Sequence, residues 1–250
     1  MQSKFFNHQG ASLHYQIGGK ETAPVMVLLH GGFGSISDFE SLLPCLLQNY
    51  RVIAVDTRGH GRSTLGTASL TYAQAADDVR QILRSESVEN YSLFGFSDGG
   101  ITAYRLGAED ENVEKIITVG AEWHQKHLSG VREIFEAVNL DFVKKNLSGQ
   151  LAAYQADNPE PDVEKWAAAL RTMWLDESES GYPNESVREI TANVLAIRGE
   201  ADFLLAFDDW AELKTELPDV HLMNVPFAAH EAIKEQPEII WAAVQAFQAL

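Results

Sequence analysis

The chain has 250 residues, of which 45% are apolar and 10% aromatic, and its formal net charge is −17. This length and composition predict one large globular domain with a sizeable core. A surface this acidic repels the phosphates of a nucleic acid, so we expect no nucleic-acid partner. Cys45 is the only cysteine in the sequence, which excludes an internal disulfide. No Cys/His spacing indicates a metal site, and we expect no metal or other cofactor.

The sequence shows neither a signal peptide nor a membrane span. The first eight residues lack the apolar segment of a signal peptide. No apolar run approaches the roughly 20 residues that a membrane-spanning helix needs. We therefore expect a cytoplasmic protein with no membrane partner.

Strand-like and helix-like segments alternate along the first half of the chain. Lys4–Asn7 and Ala11–Ile17 flank a turn and predict an edge hairpin. Continuous apolar runs, typical of strands buried on both faces, then alternate with segments of helical spacing. The predicted strands are 25–29, 51–55, 91–95 and 115–119, and the predicted helices are 38–48, 71–85 and 98–107. This alternation predicts a parallel sheet with helices on both faces.

The alternation is interrupted after Gly120. Residues 122–189 show only helical spacing and turns, which predicts a helical lid inserted in a core of residues 1–121 and 190–250. The strand and helix pattern then resumes, with strands predicted at 194–198 and 220–225 and helices at 207–217 and 235–249. An insertion between two strands of such a sheet would cover the strand ends, beside any site located there.

A Gly-x-Ser-x-Gly pattern, Gly95-Phe96-Ser97-Asp98-Gly99, joins a predicted strand to a predicted helix. In that setting the pattern indicates a sharp turn that places the serine at φ > 0 and raises its hydroxyl above the sheet. The glycines are needed because a Cβ at either position would clash. The amides of the following helix favour negative charge nearby. We therefore interpret Ser97 as a candidate nucleophile.

A serine hydroxyl is a weak nucleophile unless a base takes its proton and an acid orients that base. Of the eight histidines, His230 follows the last predicted strand, at the sheet edge where catalytic loops lie. His30 and His60 lie in glycine-rich loops, which we expect them to hold by hydrogen bonds. Asp202 follows the preceding strand and is the predicted acid, with Glu122 as the alternative. The order Ser, Asp, His is the one such folds use.

Two backbone amides complete the predicted machinery. The N–H of Asp98, directly after the candidate nucleophile, and that of Phe33, in His30-Gly31-Gly32-Phe33, are predicted to form an oxyanion hole. Trp123 and His124 begin the predicted lid, and we expect them to contact the substrate.

Taken together, these motifs resemble the α/β-hydrolase superfamily, in its lid-bearing single-domain group of serine hydrolases and esterases. The resemblance covers nearly the whole chain outside the lid and rests on the segments 30–34, 56–63, 95–100 and 199–202 and on His230. It implies an α/β fold with a mostly parallel eight-stranded sheet flanked by helices, and a Ser-His-Asp triad. Dehalogenases and epoxide hydrolases of this fold need a carboxylate nucleophile, so Ser97 excludes those two activities.

The turn at residues 95–100, which we call the elbow, is also similar to that of the valacyclovir-hydrolase-like enzymes. In those enzymes the acid after the nucleophile helps to recognise the α-amino group of amino-acid esters. This similarity implies that Asp98 pairs with a substrate ammonium. The alternative is that Asp98 only complements the positive end of its helix.

These observations predict a cofactor-independent serine hydrolase that cleaves small carboxylic esters through an acyl-enzyme. Two alternatives stay open. One is cleavage of a carbon–carbon bond, a lactone or an amide with the same triad. The other is a ligand sensor of slow turnover that signals to a partner protein.

Overall fold

The computed structural model describes residues 1–249, which contain one sheet of eight strands. In chain order the strands are β1 (Gln2–His8), β2 (Ala11–Gly19), β3 (Val25–Leu29), β4 (Arg51–Val55), β5 (Tyr91–Phe96), β6 (Val113–Val119), β7 (Asn193–Gly199) and β8 (His221–Val225). Their order across the sheet is β1-β2-β4-β3-β5-β6-β7-β8. The pairs β1/β2 and β2/β4 are antiparallel, and all other neighbours are parallel. The prediction of a mostly parallel eight-stranded sheet is confirmed.

Helices cover both faces of the sheet and the ends of its strands. Within the described residues the α-helices are α1 (Leu43–Asn49), α2 (Tyr72–Ser85), α3 (Asp98–Glu109), α4 (Arg132–Glu136), α5 (Leu140–Asn146), α6 (Ser148–Asp157), α7 (Val163–Trp174), α8 (Phe207–Glu216), α9 (Ala232–Glu235) and α10 (Pro237–Gln248). Short 3₁₀ helices occupy Ile36–Phe39, Gln125–Gly130 and Asn184–Glu189. No helix among residues 1–249 is long and apolar enough to cross a membrane.

One helix that the sequence predicts as continuous is divided, and another begins two residues later than predicted. The predicted helix 38–48 consists of a 3₁₀ helix capped by Ser35 and a separate α1, in which Pro44 lies in the first turn. The predicted helix 235–249 corresponds to α10, whose first residue is Pro237, and Glu235 instead ends the short helix α9. A proline inside a helix removes a hydrogen bond and clashes with the preceding turn, but the first turn tolerates it. Each proline therefore marks a new helix start.

The apolar strands belong to two cores, one on each face of the sheet. Val27 and Leu29 face one core, together with α2, α3 and the helices of the insertion, whereas Met26 and Leu28 face the other, together with α1 and α10. Successive side chains of a strand point to opposite faces. A central strand that is covered on both sides must therefore be apolar at every position, which is the pattern that the sequence showed.

Residues 122–189, which we call the lid segment, lie between β6 and β7 and contain α4 to α7 but no strand, all of this range being described. Asp162 caps the start of α7, because its carboxylate accepts a hydrogen bond from the Lys165 N–H. Asn158 ties the segment to the loop after β4, because its amide donates to the carbonyls of Gly61 and Ser63 at 3.0 and 2.9 Å. The predicted core range 190–250 ends on Leu250, which lies outside the described residues.

Candidate active site

The turn between β5 and α3 has the strained geometry that the sequence predicts. Ser97 takes φ +50° and ψ −119°, in the region that non-glycine residues rarely adopt. Its N–H donates to the carbonyl of Val119 at 2.8 Å, which ties the turn to the end of β6. A Cβ on Gly95 would overlap the carbonyl oxygen of Gly99, and one on Gly99 would overlap that of Leu29. Glycine is therefore required at both positions.

Ser97, His230 and Asp202 come together at the carboxyl ends of the strands. Ser97 Oγ lies 3.0 Å from His230 Nε2, and His230 Nδ1 lies 3.0 Å from both carboxylate oxygens of Asp202. Because an ionised carboxylate only accepts hydrogen bonds, Nδ1 carries the imidazole proton and Nε2 is free to accept the Ser97 hydroxyl. The Asp202 side chain is fully buried, whereas 14% of the His230 side chain is exposed.

Two residues that the sequence analysis did not single out support this arrangement. The buried guanidinium of Arg198 donates to the carbonyls of Asp202 and Leu205 at 3.1 and 2.7 Å, and so holds the loop after β7. Gly120 has φ +63°, and a Cβ there would lie 3.0 Å from His230 Cε1. Gly120 is constrained by a residue far away in the chain, so no local sequence signal marks it, whereas Arg198 acts within its own loop, on carbonyls four and seven residues further on.

The loop after β3 places Phe33 beside Ser97. Phe33 has φ +58°, and its ring packs edge-on against Trp166 and Trp174 with centroid distances of 4.7 and 5.6 Å. The Asp98 amide is the first of α3 and has no acceptor within that helix. Phe33 and Asp98 both line the cavity at Ser97.

His30 fixes the same loop, as the sequence predicts. Its Nε2 accepts the N–H of Thr57 at 2.9 Å, and therefore its Nδ1 carries the proton and donates to the Gly31 carbonyl at 2.7 Å. The buried His60 donates from Nδ1 to the Arg58 carbonyl at 3.0 Å. Burial, together with the neighbouring His30, lowers the pKa of His60 to about 3, so this ring stays neutral.

Asp98 is held by two donors that are distant in sequence. The Trp174 indole N–H donates to both carboxyl oxygens at 2.9 and 2.8 Å, and the Tyr72 hydroxyl donates to Oδ1 at 2.8 Å. Burial raises the pKa of Asp98 above its ordinary value, although the bonds from Trp174 and Tyr72 oppose that shift. Trp174 ends α7, so this contact joins the lid segment to the elbow.

A cavity of about 430 Å³ opens beside Ser97, between the strand ends and the lid segment. Its lining is mostly aliphatic and aromatic. The lining residues are Gly32, Phe33, Phe96, Ser97, Asp98, Ile134, Phe135, Val138, Phe142, Leu147, Gln150, Trp174, Phe203, Leu204, Ala229, His230, Glu231 and Glu235. This volume lies in the range of small-molecule sites.

Trp123 and His124, the predicted substrate contacts, are not among the residues that line this cavity. Trp123 is 1% exposed, and its indole N–H donates to the Asp209 carbonyl at 3.0 Å. His124 is also buried, and its Nε2 lies 3.1 Å from a carboxylate oxygen of Glu185. The Trp123 ring thus joins the lid segment to α8, whereas His124 contacts a residue of the lid segment itself. The structure therefore does not place either residue at the site.

Glu122, the alternative acid, pairs with a different histidine. Its Oε1 lies 2.7 Å from Nδ1 of His127, whose Nε2 lies 3.0 Å from Glu212. Burial lowers the pKa of His127, but the bonds to Glu122 and Glu212 outweigh it and raise the pKa above 6.5. Although this region gathers several His and Glu side chains, no group of three or more His, Cys, Asp or Glu residues within 1–249 is arranged to hold a metal ion.

The chain belongs to the α/β-hydrolase family. The family model described as "alpha/beta hydrolase fold" matches residues 24–237, which is most of the chain. The family predicted from the sequence motifs is confirmed.

Known relatives extend the similarity over nearly the full length. The 3-oxoadipate enol-lactonase 1 of Acinetobacter baylyi is 27% identical over 252 residues, covering 93% of this chain and 91% of that protein. The 2-(acetamidomethylene)succinate hydrolase of Mesorhizobium japonicum is 24% identical, with 91% and 89% covered. The crystal structure of the enol-lactonase from Burkholderia xenovorans LB400 matches with a TM-score of 0.77 at 19% identity, with 99% and 100% covered. Family and relatives together support a hydrolase.

Proposed function

We propose that the protein is a serine hydrolase that cleaves small carboxylic esters through an acyl-enzyme. The observation that carries this proposal is the hydrogen-bonded series Ser97–His230–Asp202, whose serine opens on a cavity of about 430 Å³. A nucleophile, a base and an orienting acid in this geometry are what acyl transfer needs. No cofactor takes part in this scheme.

In the first half of the reaction, Ser97 Oγ attacks the ester carbonyl while His230 Nε2 takes the hydroxyl proton. The 3.0 Å separation of these atoms suits direct proton transfer. Asp202 keeps the proton on Nδ1 and stabilises the imidazolium that forms. His230 then gives its proton to the alcohol oxygen as the carbon–oxygen bond breaks. In the second half, His230 activates water, which attacks the acyl-enzyme and releases the acid.

The amides of Phe33 and Asp98 are proposed to bind the oxyanion. Both residues line the cavity at Ser97, and the Asp98 amide is at the positive end of α3. Removing one donor of this kind typically costs about 3–4 kcal/mol of transition-state stabilisation. The left-handed φ of Phe33 and its packing between two tryptophans support a loop that is held ready for this role.

The lid segment is proposed to shape the acyl and alcohol sites. The side chains of Phe135, Phe142 and Trp174 belong to it and line the cavity. Residues 122–189 would accordingly act as a lid on a core formed by the rest of the chain.

The test is hydrolysis of short p-nitrophenyl esters together with labelling by a fluorophosphonate, which reacts with activated serines. Wild-type protein is expected to turn over the esters and to gain the mass of one phosphonyl group. Ser97→Ala should lose both. Ser148→Ala, which changes an exposed serine at the start of α6, should keep both. Turnover or labelling that survives in a folded Ser97→Ala protein would refute the scheme.

A lactone, which is a cyclic ester, is the second candidate substrate. The similarity to an enol-lactonase over 93% of the chain favours it. The same groups would open the ring, with the alcohol staying attached to the acyl part. Parallel assays of linear esters and uncharged aliphatic lactones separate the two, since the better substrate is the one with the higher kcat/KM.

Asp98 is proposed as a second polar contact for the substrate. Its Oδ2 accepts one hydrogen bond, from Trp174, and a carboxylate oxygen has room for another. An aminoacyl ester would supply an ammonium donor there. If Asp98 has this role, Asp98→Asn should lower kcat/KM for an aminoacyl ester more than for the matched acyl ester. Equal losses would leave Asp98 with only its contacts to Trp174 and Tyr72.

A further inference from the structure

The cavity at Ser97 combines an apolar body with an acidic rim. Most of its walls are side chains without charge, including Phe33, Phe142 and Leu147. Among the lining residues, all of which lie within 1–249, none is Lys or Arg. The acidic lining residues are Asp98, Glu231 and Glu235. Any ligand therefore meets apolar groups and negative charge.

A lysine behind the rim does not alter this balance. Lys234 Nζ lies 5.9 Å from the centre of the Phe96 ring, which lines the cavity. Its ammonium is already paired with Asp38 at 2.8 Å and with Glu231 at 2.7 Å. A substrate anion that approached this ammonium would have to share it with two carboxylates, whose combined charge exceeds that of the lysine.

A carboxylate on the substrate would be poorly accommodated here. Entering the cavity removes part of its hydration, and without a cationic partner that loss is not recovered. The rim carboxylate of Glu235 adds repulsion, which its exposure allows salt to screen, and that of Glu231 adds less because it is paired with Lys234. An uncharged apolar group, in contrast, gains by leaving water.

We propose that the site accepts apolar substrates and rejects those that carry a carboxylate. This inference rests on the proposed ester hydrolysis and names its substrate class. The names of two relatives contain oxoadipate and succinate, which are dicarboxylates. The proposed substrate class of this chain differs from these compounds in charge. On this proposal, two chains that are similar over their whole length act on substrates of different charge.

The test uses three p-nitrophenyl esters with the same six-carbon acyl chain: the hexanoate, the adipate monoester, and the adipate whose second carboxyl is a methyl ester. Hexanoate and the methyl ester are expected to react well. The free acid is expected to have a kcat/KM at least about 100-fold below hexanoate, or ~2.7 kcal/mol at 1.36 kcal/mol per tenfold. A free acid within threefold of hexanoate would overturn the proposal.

Binding separates this inference from the proposed chemistry. The anilides of hexanoic acid and of adipic acid, the latter with one free carboxyl, are titrated into Ser97→Ala while tryptophan fluorescence is followed, because Trp174 lines the cavity. Hexananilide is expected to bind at least tenfold more tightly. If no ester turns over but this preference holds, ester hydrolysis fails and the charge selection stands. Equal binding overturns the selection, whatever the ester assay gives.

A designed cation gives a second test. Gln150, on α6, lines the cavity with an uncharged polar group. Gln150→Lys should reduce the preference for hexanoate over the adipate monoester by about tenfold or more, because the new ammonium offers the missing partner. Gln150→Met, of similar length and no charge, should leave that ratio unchanged. A ratio that Lys and Met change equally would refute an electrostatic origin.

Discussion

Replacing Trp174 with phenylalanine removes one hydrogen bond between the lid segment and the elbow. The lost indole N–H donates to both oxygens of Asp98 at 2.9 and 2.8 Å. A hydrogen bond to a charged group contributes about 1.5–3 kcal/mol to stability. For a chain of this size each kcal/mol shifts Tm by about 2–4 °C. We therefore expect Trp174→Phe to unfold roughly 3–12 °C below wild type at neutral pH.

The control makes the same change where no hydrogen bond is lost. Trp166 is 2% exposed and packs on the same Phe33 ring, but its indole N–H has no partner within residues 1–249. Trp166→Phe should therefore lose only packing, by an amount that does not depend on pH. The loss in Trp174→Phe should depend on pH, because the donor stabilises the ionised carboxylate more than the neutral acid.

The assay is urea unfolding of wild type and both variants at about pH 4.5 and about pH 8. The change in the free energy of unfolding between the two pH values depends on the folded-state pKa of Asp98. Removing the donor raises the folded-state pKa of Asp98 further. The destabilisation by Trp174→Phe must then grow as pH rises through that pKa, toward the ionised state. Two results would show that the hydrogen bond contributes little. One is that Trp174→Phe loses the same free energy of unfolding at both pH values, and the other is that its loss varies with pH no more than the loss in Trp166→Phe.

Four further substitutions test other parts of the structure. The folded-state pKa of His127 is raised, so its stabilising contribution is complete below about pH 6.5 and is lost as pH rises through the folded-state value. As pH rises through that range, the urea midpoint of His127→Gln should therefore fall less than the urea midpoint of wild type. Gly99→Ala should prevent folding, because the Cβ would overlap the Leu29 carbonyl. Gly149→Ala, whose Cβ would have no neighbour within 4 Å, should instead raise the free energy of unfolding by up to about 1 kcal/mol, measured by urea unfolding. Asp202→Asn should lower kcat roughly 10⁴-fold, because the wrong imidazole tautomer is favoured, while circular dichroism shows that the fold is kept. A loss of less than tenfold would remove Asp202 from the proposed scheme.

The sheet could be predicted because its determinants are local. Apolar runs such as Val25–Leu29 reflect burial on both faces, and helices with one apolar face lie between them. The helix bounds that differ from the prediction also have local causes, since Pro44 lies in the first turn of α1 and Pro237 is the first residue of α10. Proline removes a backbone donor, and that outweighed the continuity of the helical spacing.

The candidate site was only partly predictable. Ser97, Asp202 and His230 each follow a strand, and parallel strands bring their carboxyl ends to one edge, so their meeting follows from the order of elements. Trp123 and His124 differ. Their place at the start of the lid segment suggested a cavity wall, but their rings pack against α8 and Glu185 instead. Which side of a helical segment faces the cavity depends on packing, not on chain position.

The sequence by itself determined the class of fold, the strained serine turn and the candidate groups at the strand ends, because each depends on residues within one element or on the order of elements. Tertiary structure decided the rest. It paired His127 with Glu212, set Trp174 on Asp98 and left the cavity without a free cation among its described lining residues. These are contacts between segments that are far apart in the chain, and their energies depend on distance and burial, which exist only after the chain has packed.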